Sequence, residues 1–114
     1  MCIRDSILAA SDINLETSFG RLGHFTKDDV DYIKGLGIVG ILNFEFLDRD
    51  GNLILNKLTD RILRLYPLDA IKNTKNAIMV SFGQQKVDIM RAILKGRLVN
   101  MLLTDESTAR QILN

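Results

Sequence analysis

The chain has 114 residues, room for one domain with a modest core; 46% of them are hydrophobic, 25% are charged, and the net charge is +1. Fifteen Lys and Arg against fourteen Asp and Glu leave no surplus of cations to neutralise a nucleic-acid backbone or to hold a membrane surface. A single cysteine, Cys2, excludes an internal disulfide, a single histidine, His24, gives a zinc ion little to bind, and no apolar run approaches the ~20 residues that cross a bilayer. The expectation is a cytoplasmic protein with neither metal nor cofactor.

Residues 1–6 carry two opposite charges and a cysteine ahead of a short apolar stretch, and they do not have the form of a signal peptide. They read as an artefact of gene prediction, so the fold reading starts at Ile7, with residues 7–10 as the tail of a buried strand. Residues 12–20 are mixed, with a helical turn or two near residues 17–21. Thr26 stands before Lys27, Asp28 and Asp29, a hydroxyl cap followed by acidic residues that suit a helix N-terminus. Val30, Ile33 and Leu36 continue at helical spacing, and Gly35 and Gly37 end the helix.

Residues 38–42 are apolar and β-branched, as a strand requires, and the pattern runs on through Phe44, Phe46 and Leu47. Asp48, Asp50, Gly51 and Asn52 signal a turn. Residues 60–65 form another strand candidate, and Pro67 opens a short helix. The last third alternates clearly. A strand is predicted over residues 77–82, then a helix over 84–95 whose one face carries Val87, Met90, Ile93 and Leu94. Gly96 ends that helix, and a strand follows over 98–103. Thr104 and Asp105 cap a last helix with Ala109, Ile112 and Leu113 on its apolar face. Strand, helix, strand, helix is the signature of a parallel sheet in an α/β fold.

The segment most able to carry chemistry is Val80, Ser81, Phe82, Gly83, Gln84, Gln85 and Lys86. A strand ends, a glycine permits a tight turn, and a helix begins. The amides of such a first turn have no partner inside the helix, and with the helix dipole they favour an anion. Lys86 in that turn opposes the dipole unless it serves a phosphate. A glycine before a helix is also ordinary in α/β proteins, and lysine is a common solvated residue, so the residues alone leave both readings open. Asn43, near the end of a strand, can hydrogen-bond a sugar hydroxyl or simply form a turn. Asp105 is a ligand candidate or a plain helix cap. Asp60 and Arg61 open a strand, where Arg61 can reach a ligand or a surface carboxylate. His24 has no nucleophile beside it and reads as structural. Glu45, Asp48 and Asp50 lack the spacing of a calcium loop, and a hairpin turn explains them better.

The order of these segments resembles the sugar-binding domain of SorC-type bacterial transcriptional regulators. The resemblance rests on residues 20–29 leading into Gly37, Ile38, Val39 and Gly40, on Phe46 to Gly51, on Thr59 to Ile62, on Ser81 to Val87, and on Leu98 to Glu106. It covers nearly everything after Ser11. It implies a Rossmann-like, partial doubly wound and mainly parallel sheet, related to the sugar-phosphate isomerases and truncated at its N-terminus. Residues 7–114 would be the C-terminal part of the effector domain. By this likeness Gly83, Gln84, Gln85 and Lys86 would hold the phosphate of a sugar effector, with Asn43, Asp60, Arg61 and Asp105 near the sugar. The chain departs from the family at Ile41, where an Asp is usual, at Phe82, where a Gly is usual, and at Asn43 and Phe44, where Cys and Gly are usual.

The implied function is sensing of a phosphorylated sugar, without catalysis, for a homo-oligomeric regulator. DNA would be reached only through a helix-turn-helix outside this chain, and no membrane is involved. Two other readings stand beside it. A sugar-phosphate isomerase or deaminase fragment would need a general base, for which Asp105 is the candidate. A domain that has lost its ligand and serves oligomerisation would fit the changes at Ile41 and Phe82.

Overall fold

The computed structural model describes residues 5–13, 25–43, 45–59 and 71–114. Strands β1 (Asp5–Leu8), β5 (Asn76–Val80) and β6 (Met101–Leu103) form a parallel sheet in the order β1-β5-β6. Strands β2 (Ala10–Ser11), β3 (Ile38–Leu42) and β4 (Glu45–Asp48) form a separate antiparallel sheet in the order β2-β3-β4. The helices are α1 (Lys27–Gly35), α2 (Val87–Lys95) and α3 (Glu106–Leu113), and α2 is entered through a 3-10 turn over Gln84–Lys86. The parallel sheet matches the α/β expectation; the antiparallel sheet is inserted between its first two strands. No helix of the described residues is long and apolar enough to cross a membrane.

Helix α1 starts where the sequence places it. The Asp29 amide donates to Thr26 Oγ1 at 3.1 Å, and the Thr26 amide donates back to the Asp29 carboxylate at 3.0 Å. This reciprocal pair satisfies two amides that a helix end leaves open. Val30 and Ile33 are buried, and Ile33 packs with Ile38, Ile41 and Phe46 on one face of the antiparallel sheet. The opposite face supplies Ala10, Leu42 and Leu47 to a second core. That core contains Ile89, Met90 and Ile93 of α2 together with Ala77 and Met79 of the parallel sheet. Helix α2 is thus held between two sheets, which is why it is apolar over more than one stripe.

Gly40 is the device that lets α2 approach. A Cβ there would sit 2.5 Å from Ile89 Cβ and 2.7 Å from the Ser11 carbonyl oxygen, distances no side chain tolerates. Helix α3 docks on α2. Arg91 of α2 reaches its end, where Nε donates to the Ile112 carbonyl at 3.3 Å and the guanidinium also donates to the carbonyls of Gln111 and Asn114.

Several local expectations change. The first strand begins at Asp5, which pairs with Asn76, so two of the residues set aside as an artefact lie within it. Ile7 was expected to be buried and is exposed, because no described residue covers its face of the sheet. The apolar run from Ile38 to Leu47 is two strands and not one. Asn43 adopts a left-handed φ of 51°, and the register pairs Leu42 with Glu45 across the turn. The last strand is shorter than residues 98–103. Arg97 is left-handed, and Asn100 meets Ala77 twice: its amide donates to the Ala77 carbonyl at 2.9 Å, and its side-chain oxygen accepts from the Ala77 amide at 2.8 Å. The helical turns near residues 17–21, the strand over 60–65, His24 and Pro67 all lie outside the described residues.

Candidate functional site

Strands β5 and β6 both point their C-terminal ends at the same edge, and the register pairs Val80 with Leu103. Just past that pair the Ser81 amide donates to the Leu103 carbonyl at 3.2 Å, so Ser81 and Thr104 stand side by side at the strand tips. Both hydroxyl oxygens are buried; that of Ser81 has no hydrogen-bond partner among the described residues, whereas Thr104 lies beside the Asp105 carboxyl. A buried hydroxyl without a partner is uncommon and marks a place where a polar group is wanted.

Gly83 follows with φ 111° and ψ 142°, a region open in practice only to glycine. The space a Cβ would take is filled by the Gln85 side-chain amide, whose Oε1 lies 2.8 Å from that point. The chain then turns into the 3-10 segment. The Lys86 amide donates to the Gly83 carbonyl at 3.1 Å, and the Val87 amide donates to the Gln84 carbonyl. Gln84 and Gln85 are the first two residues of this turn, so their amides precede any acceptor within it. Their side chains are exposed, and Lys86 is half-buried without a salt bridge to a described residue.

Gly83 differs from its expected part in one respect. Its own amide does not face outward but donates to Thr108 Oγ1, 3.0 Å away in the first turn of α3. Asp105 holds the N-cap position of α3 in extended backbone, with no side-chain cap hydrogen bond. Its carboxyl nevertheless lies below the usual range. The Thr108 hydroxyl is the main cause and outweighs desolvation, aided by the Thr108 amide and the Thr104 hydroxyl. Asp105 therefore shares a neighbourhood with Gly83 through Thr108.

Asn43 sits at the tip of the β3–β4 hairpin, beyond the position where Leu42 pairs with Ala10. Ala10 lies two residues past the end of β1, which brings Asn43 toward the end of the parallel sheet's first strand. Asp60 and Arg61 lie outside the described residues.

Sequence reasoning gave Ser81 no role of its own within its segment, took Thr104 only as a helix cap, and missed Thr108. The available signal was position: two of the three directly follow strand segments at the edge where the helices start. It also took Glu45 as part of a turn. Glu45 opens β4 and is buried, as is Asp12 after β2. The turn belongs to Asp48, whose carboxylate accepts from the amides of Asp50 at 2.9 Å and Asn52 at 2.8 Å. No group of three His, Cys, Asp or Glu able to hold a metal ion occurs among the described residues.

Known proteins share both this sequence pattern and this arrangement. The deoxyribonucleoside regulator of Bacillus subtilis is 27% identical over 109 residues, which is 96% of this chain and 34% of that protein. A transcriptional regulator of Streptococcus pneumoniae superposes with a TM-score of 0.83 at 26% identity, over 98% of this chain and 43% of that one. The full-length sorbitol operon regulator SorC of Klebsiella pneumoniae has the same fold, with a TM-score of 0.84 at 17% identity over 96% of this chain and 36% of that one. The chain thus spans about a third of the curated relative's length. The family model described as "Putative sugar-binding domain" matches residues 11–114, and the chain belongs to that sugar-binding domain family of SorC- and DeoR-type regulators.

Proposed function

We propose that the chain is part of the effector-sensing domain of a bacterial transcriptional regulator and that it seats the phosphate of a phosphorylated sugar at the tip of β5. The observation that carries this reading is the conjunction at one strand end of a glycine-only backbone, a helix start, a lysine and two buried hydroxyls, of which that of Ser81 has no partner among the described residues. Amides of Gln84 and Gln85 would meet the phosphate oxygens, and the Lys86 ammonium would add a charge-assisted bond worth roughly 1.5–3 kcal/mol. Ser81 and Thr104 supply hydroxyls to the same anion or to a bridging water. Asn43, Asp105 and, outside the described residues, Asp60 and Arg61 would stand near the sugar. The relatives' regulator names support the sensing role, and DNA contact would come from a helix-turn-helix elsewhere in a homo-oligomeric, cytoplasmic regulator. On this reading residues 7–114 form the C-terminal part of the effector domain, residues 1–6 stem from gene prediction although Asp5 and Ser6 extend β1, and no metal or cofactor takes part.

The chemistry of Asp105 favours sensing over isomerisation or deamination. A general base for proton abstraction works best with its pKa raised toward neutrality. Asp105 is shifted the opposite way.

Isothermal titration of the folded protein with a panel of hexose and pentose phosphates, and with inorganic phosphate, tests the proposal. At least one sugar phosphate should bind, and Lys86→Ala should weaken it. Binding of none, or turnover of any, would reject it.

A further inference from the structure

The amide expected to face an anion is already engaged elsewhere. Gly83 donates its N–H to Thr108 Oγ1 at 3.0 Å, 25 positions along the chain, and its carbonyl accepts from the Lys86 amide at 3.1 Å. One end of Gly83 thus holds α3, and the other holds the turn that begins α2. The backbone reaches both partners at φ 111° and ψ 142°, a conformation that only glycine enters readily.

Thr108 is built to pass a displacement on. It is only 2% exposed, so water does not take its place beside Gly83. A hydroxyl has one proton, and an oxygen that accepts from Gly83 keeps that proton for another acceptor. Asp105 is that acceptor, for the Thr108 hydroxyl is the main cause of its lowered carboxyl. Asp105 in turn opens α3, and its carbonyl accepts from the Ala109 amide at 3.0 Å. Hydrogen bonds therefore run without a break from the tip of β5 into the first turn of α3, and each polarises the next. The polar tie that Arg91 of α2 makes to α3 lies at the far end of that helix.

We infer that Thr108 is the joint through which occupancy of the anion seat at the β5 tip is passed to α3, so that a bound phosphate tightens this helix. The inference rests on the phosphate seat proposed above. An anion drawn to the Gln84 and Gln85 amides fixes the turn. The fixed turn fixes Gly83, and Gly83 holds Thr108 in place. Thermodynamic reciprocity supplies the converse: the factor by which the ligand favours closing of α3 is the factor by which closing of α3 favours the ligand.

The test is hydrogen exchange of the 114-residue chain with and without inorganic phosphate, ribose 5-phosphate or glucose 6-phosphate, with titration calorimetry to report binding. A ligand that binds should slow exchange of the α3 amides, residues 109–113, by about fivefold or more, the lower end of ordinary coupling. Thr108→Val should abolish that slowing and weaken binding by the same factor, and Thr108→Ser should restore both. Ile112→Ala loosens α3 from the core at its other end and so controls for mere destabilisation. The ligand should still slow exchange in that variant. The wild-type comparison tests the coupling even where Thr108→Val does not fold. Binding with α3 exchange unchanged, or slowing that survives in Thr108→Val, would overturn the joint and leave the phosphate seat standing. Binding of none of the three ligands would reject the seat and the joint together.

Discussion

The amide of Gly83 donates to the hydroxyl of Thr108 at 3.0 Å, tying the tip of β5 to the first turn of α3. Thr108 is buried, so nothing else reaches that amide once the hydroxyl is gone. Thr108→Val should cost about 1–3 kcal/mol, the penalty of an unsatisfied buried donor. Thr108→Ser keeps the oxygen and should recover most of the loss. Chemical denaturation of the two variants side by side checks this, since a purely steric role would rank them the other way.

Lys86 supplies the ammonium of the proposed phosphate seat. Lys86→Ala should weaken sugar-phosphate binding by roughly tenfold to a hundredfold, the equivalent of one charge-assisted bond, while leaving the melting temperature nearly unchanged. Lys86→Arg should keep much of the affinity. Titration calorimetry at two salt concentrations checks both, and the wild-type affinity should fall more steeply with salt than that of Lys86→Ala.

Asp48 gives the fold an acid-sensitive turn. Burial pushes its carboxyl up, but hydrogen bonds from the Asn52 and Asp50 amides, the Asn52 side chain and the Gly51 amide outweigh burial and hold it below its ordinary value. A depressed folded pKa contributes stability that is full above the unfolded value near 3.8 and disappears as pH falls through the folded one. Asp48→Ala should therefore lower stability at neutral pH by about 1–2 kcal/mol and flatten the acid limb of the stability profile. Urea melts between neutrality and strongly acidic pH measure both effects.

Close packing of α2 on β3 gives the largest expected effect. Gly40→Val would drive two methyl groups into Ile89 and the Ser11 carbonyl, and overpacking of this kind costs roughly 1–3 kcal/mol or more. Ile89→Ala in the same core should cost about 2–5 kcal/mol through the cavity it leaves. Thermal denaturation of each, and of the pair, checks the contact: an Ala at position 89 should partly relieve Val at position 40, because neighbours in contact are not additive.

What could be read from the residues follows from how local each cause is. The capping of α1 by Thr26 and Asp29, the helix after Gly83 and the Asp48 turn rest on side chains a few positions apart, and each appears where the spacing puts it. The hairpin at Asn43 was hidden inside an apolar run. Glu45, Phe46 and Leu47 are all buried, so β4 shows no alternation, and only the left-handed Asn43 breaks the strand. The partnership of Thr108 with Gly83 spans 25 positions and has no local mark. The exposure of Ile7, Met101 and Leu103 was invisible for the opposite reason: strands covered on one side or on both read alike when all their residues are apolar.

The grip of Arg91 on the last carbonyls of α3 has a mechanical consequence. Helices α2 and α3 start at neighbouring strand tips and are clasped again near the far end of α3, so they behave as a two-pronged strut fixed at both ends. A clamp at each end leaves the two helices little freedom to splay, so a displacement imposed at the strand tips would tilt both together.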